Sequence, residues 1–312
     1  MKNIMLLCVT ALVILLTTTG GLAQSLPGYC YHYPDTTTGP TPLRIAVAAN
    51  FEGPAKEMVR DFLASNVSYP TTYTVWICPN STGVLFAEIV LHPTVFDMFF
   101  AANEAASDIP IVGESAFTYA KGIPIIFGYK PGGAGIVNPV NNANALIHGL
   151  SPATEFATLP YGNLSGYSIN TATANDVAIA DPSVAPYGQA ALSIMTALGS
   201  PSPYPVTIAT LNTVTEVQNN VGKNIPIGEP TEFSIRSGFA SKAQFCASDY
   251  INPSDGVPDG IAYVAFTNAT YMLTQRAVKL TNNAGNLESY ILGRIKTGTW
   301  NTFLTSNCYG AL

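Results

Sequence analysis

The chain has 312 residues, 13 Lys and Arg against 19 Asp and Glu, a net charge of -6 and only 10% charged residues. A diffuse acidic balance without a basic stripe argues against a nucleic-acid-binding surface, which needs cations to meet phosphates. It also sets a repulsive long-range field against any bound anion, so an anion site here has to rest on local dipoles.

The first residues carry Lys2, an apolar run over 4–16 and the small-residue sequence Gly21-Leu22-Ala23 before Gln24. These are the three parts of a secretory signal peptide, expected over 1–23 and cleaved near Ala23. The run is too short for a good membrane span, and no later segment supplies one. No Cys stands just after it to carry a lipid, and Cys8 leaves with the signal. The expected mature protein is soluble, periplasmic or secreted. Residues 24–42, rich in Pro, Thr and Gly, read as an irregular N-terminal arm. Four cysteines remain: Cys30, Cys78, Cys246 and Cys308. An even count in an oxidising compartment predicts one or two disulfides, with three pairings open. The spacings are too wide for a zinc site.

From residue 43 the pattern becomes an alternation of strands and helices. Residues 43–49 (LRIAVAA) form a short apolar run suited to a buried parallel strand. Asn50 reads as the N-cap of the helix that follows, with Pro54 in its first turn and Ala55, Met58, Val59 and Phe62 at helical spacing. Strand, turn and helix recur at 73–77 (YTVWI), 80–83 (NSTG) and 85–89. A third strand is predicted over 95–101, with Asp97 among aromatic residues as a structural cap.

Residues 119–129 and 177–180 are strand-like, and 181–188 (DPSVAPYG) is a loop in which Asp181-Pro182 fixes a turn. A helix follows over 189–198, closed by Gly199. Residues 216–222 end another helix, with Asn224-Ile225-Pro226 as the loop after it. Strands are predicted at 263–265 and 269–273, and a helical close over 287–304 interrupted near Gly293 and Gly298. The alternation indicates an α/β fold with mostly parallel sheets flanked by helices.

Several of these pieces, in this order, resemble the periplasmic molybdate- and tungstate-binding proteins of ABC transporters, which are type II solute-binding proteins. They are RIAVAANFEGPAKEMVRDF, NSTGVLFAEI, FDMFFAANE and FTYAKG in the first part, DPSVAPYGQAAL from Asp181, and the closing YILGRIKTGTWNTFLTSNCYG. The arm before Leu43 has no counterpart, and the stretches 130–176 and 226–260 look longer or more diverged.

The resemblance implies a two-lobed periplasmic-binding-protein-like fold of type II, with a ligand cleft between lobes. Lobe 1 would be 43–121 plus 268–312, and lobe 2 would be 122–267. It further implies capture of molybdate or tungstate for an ABC importer. The permease would be the partner and the only route to the membrane. No resident cofactor is expected, and the protein would be a monomer.

By the same resemblance, Asn50 and Ser81 bind the oxyanion from lobe 1 through backbone N–H and side chain, and Ala49 adds an N–H. Tyr187 and Ile225 close from lobe 2, Ile225 through its backbone. The chemistry suits such a ligand, because helix N-termini and nearby hydroxyls supply neutral donors. Molybdate and tungstate are fully deprotonated near neutral pH and need donors only, whereas phosphate keeps a proton and favours an acceptor. None of the five residues is acidic.

Each also has an ordinary reading. Asn50 is a common helix cap, Ser81 sits in the glycosylation sequon Asn80-Ser81-Thr82, Tyr187 suits a half-buried aromatic and Ile225 suits core. Phe245, near where some relatives carry a hydroxyl-bearing aromatic, lacks that hydroxyl.

The diverged stretches leave room for another anion, such as sulfate, phosphonate or a small organic acid. They also leave room for a sensory or interaction protein without transport. An enzyme is not expected. His32, His92 and His148 are scattered without a Ser-His-Asp or Cys-His constellation. Gly132-Gly133-Ala134-Gly135 lacks the Lys-Ser/Thr of a phosphate loop.

Overall fold

The computed structural model describes residues 26–110, 114–129, 147–148, 168–169, 177–197, 208–220, 237–246 and 261–312. The expected signal peptide 1–23, the glycine run 132–135 and Ile225 lie outside the described residues.

Two sheets organise the chain. The first has six strands: β1 (Tyr31–His32), β2 (Thr41–Ala48), β3 (Tyr73–Asn80), β4 (Met98–Phe100), β5 (Phe117–Gly122) and β13 (Leu273–Lys279), in the order β1-β3-β2-β4-β13-β5. The second has five: β6 (Pro124–Tyr129), β9 (Val177–Ala180), β10 (Ile208–Leu211), β11 (Ser237–Ser241) and β12 (Ile261–Ala265), in the order β10-β9-β11-β6-β12. Two short strands, β7 (Ile147–His148) and β8 (Ser168–Ile169), pair with each other. The chain crosses between the sheets at Ile123, from β5 to β6, and again through 266–272, from β12 to β13.

Parallel pairing is confined to three adjacent strands of each sheet, in the middle of the first and along one edge of the second. β2 runs parallel to β3 and β4, and β9 runs parallel to β10 and β11. The crossover strands β5, β6, β12 and β13 pair antiparallel with their neighbours. The expectation of mostly parallel sheets is therefore corrected to mixed ones. A strand arriving from the other sheet enters at the end where the central strands leave, and so runs against them.

β2 shows how the sequence drives the layering. Leu43, Ile45 and Val47 point into one core with Met58, Phe62, Trp300 and Leu304, while Ala46 points into another with Leu85, Phe96 and Phe99. Side chains alternate across a strand, so a sheet covered on both faces needs an unbroken apolar run. Helix α1 (Glu52–Ala64) buries Ala55, Met58, Val59 and Phe62 against the first face. Helix α2 (Thr82–Leu91) covers the second with Leu85 and Ile89. Burying each large side chain is worth about 1.5–3 kcal/mol. The five-stranded unit carries α3 (Pro186–Ala197) and α4 (Val214–Asn220), and the chain closes on α5 (Gly285–Lys296) and α6 (Thr299–Ser306). Gly298, at φ 77°, makes the left-handed break between these last two. Gly293 does not interrupt α5.

Four sequence expectations change. The arm is not wholly irregular, since β1 pairs with β3 and Cys30 is bonded to Cys78. Asn50 is not a helix cap: it lies in a 3-10 turn (Ala49–Phe51), and Phe51 precedes α1 without a side-chain cap. Helix α3 starts at Pro186 and not at 189, which puts Tyr187 in its first turn. The returning strand is Leu273–Lys279, and 269–272 form turns. The second disulfide joins Cys246, beyond β11, to Cys308, beyond α6.

Asp97 caps structure as expected. Its carboxylate accepts from the Arg44 N–H at 2.8 Å, the Asn283 amide at 3.1 Å and the Thr281 hydroxyl. Asp97→Ala strands these half-buried donors and is expected to destabilise the fold by about 1–3 kcal/mol, read as a shift in urea midpoint.

Candidate functional site

The parallel strands of the two sheets aim their C-terminal ends at a common gap, which is where open α/β sheets take ligands. A narrow cavity of about 10 Å³ lies there. Ala48, Ala49 and Asn50 line it after β2, Ser81 and Thr82 after β3, and Ala102 after β4. From the five-stranded unit come Ala185, Pro186 and Tyr187 beyond β9, and Thr213 and Val214 beyond β10. Among the described residues lining it none is charged. A wider groove of about 510 Å³ adjoins it at Ala49 and Asn50, and there Glu52, Lys56, Glu57 and Arg60 line it together with Thr215, Gln218 and Gln244.

The structure thus brings Ala49, Asn50, Ser81 and Tyr187 together, while Ile225 lies outside the described residues. Their polar groups are engaged differently from the expectation. The Ser81 N–H is taken by the Asn80 side-chain carbonyl at 2.8 Å, leaving the hydroxyl as its contribution. That hydroxyl is buried, with 4% of the residue exposed, and has no hydrogen-bond partner. A buried hydroxyl left unpaired costs about 1–3 kcal/mol, and Ser81 is one of the residues that line the cavity.

The Asn50 amide nitrogen donates to Tyr309 Oη at 2.8 Å and to Gln275 Oε1 at 3.3 Å, and Tyr309 Oη donates back to the Asn50 carbonyl at 2.9 Å. Asn50 therefore has its backbone N–H, more than its amide, to offer. Tyr187 Oη accepts from Ser241 Oγ at 2.9 Å and from Gln275 Nε2 at 3.1 Å. Burial pushes the Tyr119, Tyr187 and Tyr309 phenols up from their ordinary range, so all three stay protonated. Phe245 is fully buried against Phe127.

The two units touch directly beside this cavity. The Gly83 N–H, in the first turn of α2, donates to the Val184 carbonyl at 2.8 Å. Sequence reasoning missed Gln275, Ser241 and Tyr309, because their partners are remote in the chain. It also passed over Thr213, a hydroxyl residue just before α4, whose signal was available.

Residues 43–290 match the family model described as bacterial extracellular solute-binding protein. The chain belongs to this family. The resemblance read from its motifs is borne out. Over 162 residues the protein is 27% identical to the molybdate-binding protein ModA of Azotobacter vinelandii, a match covering 50% of this chain and 51% of that one. This solute-binding protein thus spans about half the length of that relative.

Two solved structures share its fold. One is a substrate-binding domain assigned to a molybdenum ABC transporter of Clostridium difficile, with a TM-score of 0.51, 12% identity, and coverage of 87% of this chain and 99% of the other. The second is a substrate-binding protein assigned to a phosphate ABC transporter of Clostridium perfringens, with phosphate bound, a TM-score of 0.51, 11% identity and the same 87% and 99% coverage.

Proposed function

We propose that this solute-binding protein is exported, closes two lobes over a tetrahedral oxyanion, molybdate or tungstate, and delivers it to an ABC importer. The six-stranded unit is lobe 1 and the five-stranded unit is lobe 2. The observation that carries this reading is the unpaired, buried Ser81 hydroxyl lining an uncharged cavity at the strand ends. In this reading a dianion there meets donors: the Ser81 hydroxyl and those first-turn N–H groups after β2, β3 and β9 that are not already committed, as the Ser81, Gly83 and Gly188 N–H groups are. The name of the Azotobacter relative supports the choice of molybdate.

A second reading, phosphate, is favoured by the Clostridium perfringens structure. Phosphate retains a proton at neutral pH and calls for an acceptor. Among the described lining residues no carboxylate supplies one.

Titration calorimetry with molybdate, tungstate, sulfate and phosphate separates these readings. Binding of molybdate or tungstate at micromolar levels is expected, and a response to phosphate alone sinks the assignment. Ser81→Ala is expected to weaken the favoured ion by about 1–3 kcal/mol. An unchanged affinity removes Ser81 from the site.

A further inference from the structure

We propose that Gln275 is a positioning residue that couples the two halves of the site, holding Asn50 and Tyr187 in register when the lobes are together. The proposal rests on the two-lobed reading above. Gln275 lies on β13, the strand returning from lobe 2 to lobe 1, and its side chain is fully buried. Its carbonyl end faces lobe 1, where Oε1 accepts from Tyr119 Oη at 2.9 Å and Asn50 Nδ2 at 3.3 Å. Its amide end faces lobe 2, where Nε2 donates to Tyr187 Oη at 3.1 Å.

The direction of every bond in this chain is fixed. Tyr309 donates its proton to the Asn50 carbonyl, so it receives the Asn50 amide. The Asn50 amide can only donate, so the oxygen of Gln275 turns toward it and the nitrogen is left for Tyr187. One side chain thereby touches two residues that line the oxyanion cavity from opposite lobes.

Space is also made for this contact. A Cβ on Gly122, at the end of β5, would lie 2.1 Å from Tyr187 Oη and 2.3 Å from Gln275 Nε2. The two groups meet over the glycine next to Ile123, where the chain crosses between lobes. Tyr187 and Ser241 move with lobe 2, whereas Gln275, Asn50 and Tyr119 move with lobe 1. Opening about the crossovers pulls Tyr187 Oη away from Gln275 Nε2, and closing restores the bond.

The test is a double-mutant cycle of Gln275→Met and Tyr187→Phe with two readouts. The first needs no ligand: the radius of gyration of the ligand-free protein in small-angle scattering. It is expected to rise by a similar amount in each single variant and no further in the double. The second is the affinity for molybdate and tungstate, expected to fall about threefold to tenfold in each single variant and no further in the double.

Additive effects, or a lowered melting temperature with an unchanged radius, overturn the coupling and leave Gln275 a packing residue. Should Gln275→Met fail to fold, Tyr187→Phe, which removes one oxygen, is read against wild type in the same two measurements. If the wild type ignores both oxyanions, the ligand assignment fails while the scattering cycle still decides the coupling.

Discussion

Gly83→Val is expected to weaken oxyanion binding by about 30- to 1000-fold while leaving the melting temperature of the ligand-free protein near that of wild type. A Cβ at this position would lie 2.8 Å from the Val184 Cα, 2.9 Å from its carbonyl oxygen and 3.1 Å from its Cβ. The first two are backbone atoms of the opposite lobe and cannot swing aside. Overpacking of this kind costs about 1–3 kcal/mol. Displacing Val184 also breaks its hydrogen bond from the Gly83 N–H, worth about 0.5–1.5 kcal/mol. Together these amount to roughly 2–4 kcal/mol, which the stated fold-range expresses.

On the proposed two-lobed reading the cost falls on the closed state alone, because α2 packs on its own sheet through Leu85 and Ile89 and not through Gly83. Gly293→Ala, at a position with nothing within 4 Å of the added carbon, serves as the control. Calorimetry on both variants decides the matter. Wild-type affinity in Gly83→Val would mean that the lobes grip their ligand without α2 meeting Val184.

Removal of the Cys246–Cys308 bond, by the paired change to Ser, is expected to lower stability by about 2–4 kcal/mol, with a drop at least as large when wild type is melted in reductant, which breaks Cys30–Cys78 as well. The bond closes a sequence separation of 62 residues, so its loss releases a long loop in the unfolded chain. It is also a link between the two sheet units additional to the two crossovers. Cys246 follows the helical turn Lys242–Phe245 beyond β11 of the five-stranded unit, and Cys308 follows α6 of the six-stranded unit. The same variant should therefore open more widely, seen as a larger ligand-free radius in scattering. A melt indifferent to reductant, together with free thiols by mass spectrometry, would dismiss the bond.

Much of the architecture was legible in the sequence wherever burial leaves a periodic trace. The apolar run of β2 and the helical spacing of Met58, Val59 and Phe62 in α1 both end fully buried. What was not legible depends on partners far away in the chain. Asn50 has the composition of a helix cap, yet its amide is claimed by Gln275 and Tyr309, 225 and 259 positions later. The polar pair Gln275-Arg276 hid β13, because a buried glutamine with all its bonds made looks like a surface residue until its partners are known.

Helix α3 is a different case. Pro186 is well suited to a first helical position, and that signal stood in the sequence unread. For the site, the order of motifs picked out Ala49, Asn50, Ser81 and Tyr187, which line one cavity. It could not foresee which of their polar atoms are already spoken for.

The two flanks of the first sheet are each met by a segment far from its central strands. β1 lies along β3 on one flank, and on the other Gly310 bridges to Lys121 of β5, its N–H bonded to the Lys121 carbonyl at 2.8 Å. Each of these segments is stapled: Cys30 holds the first and Cys308 the second. An uncovered rim offers a row of unmet amides to any passing strand. The staples therefore anchor both segments beside the sheet, and their reduction is expected to loosen these contacts and expose backbone amides on its two flanks.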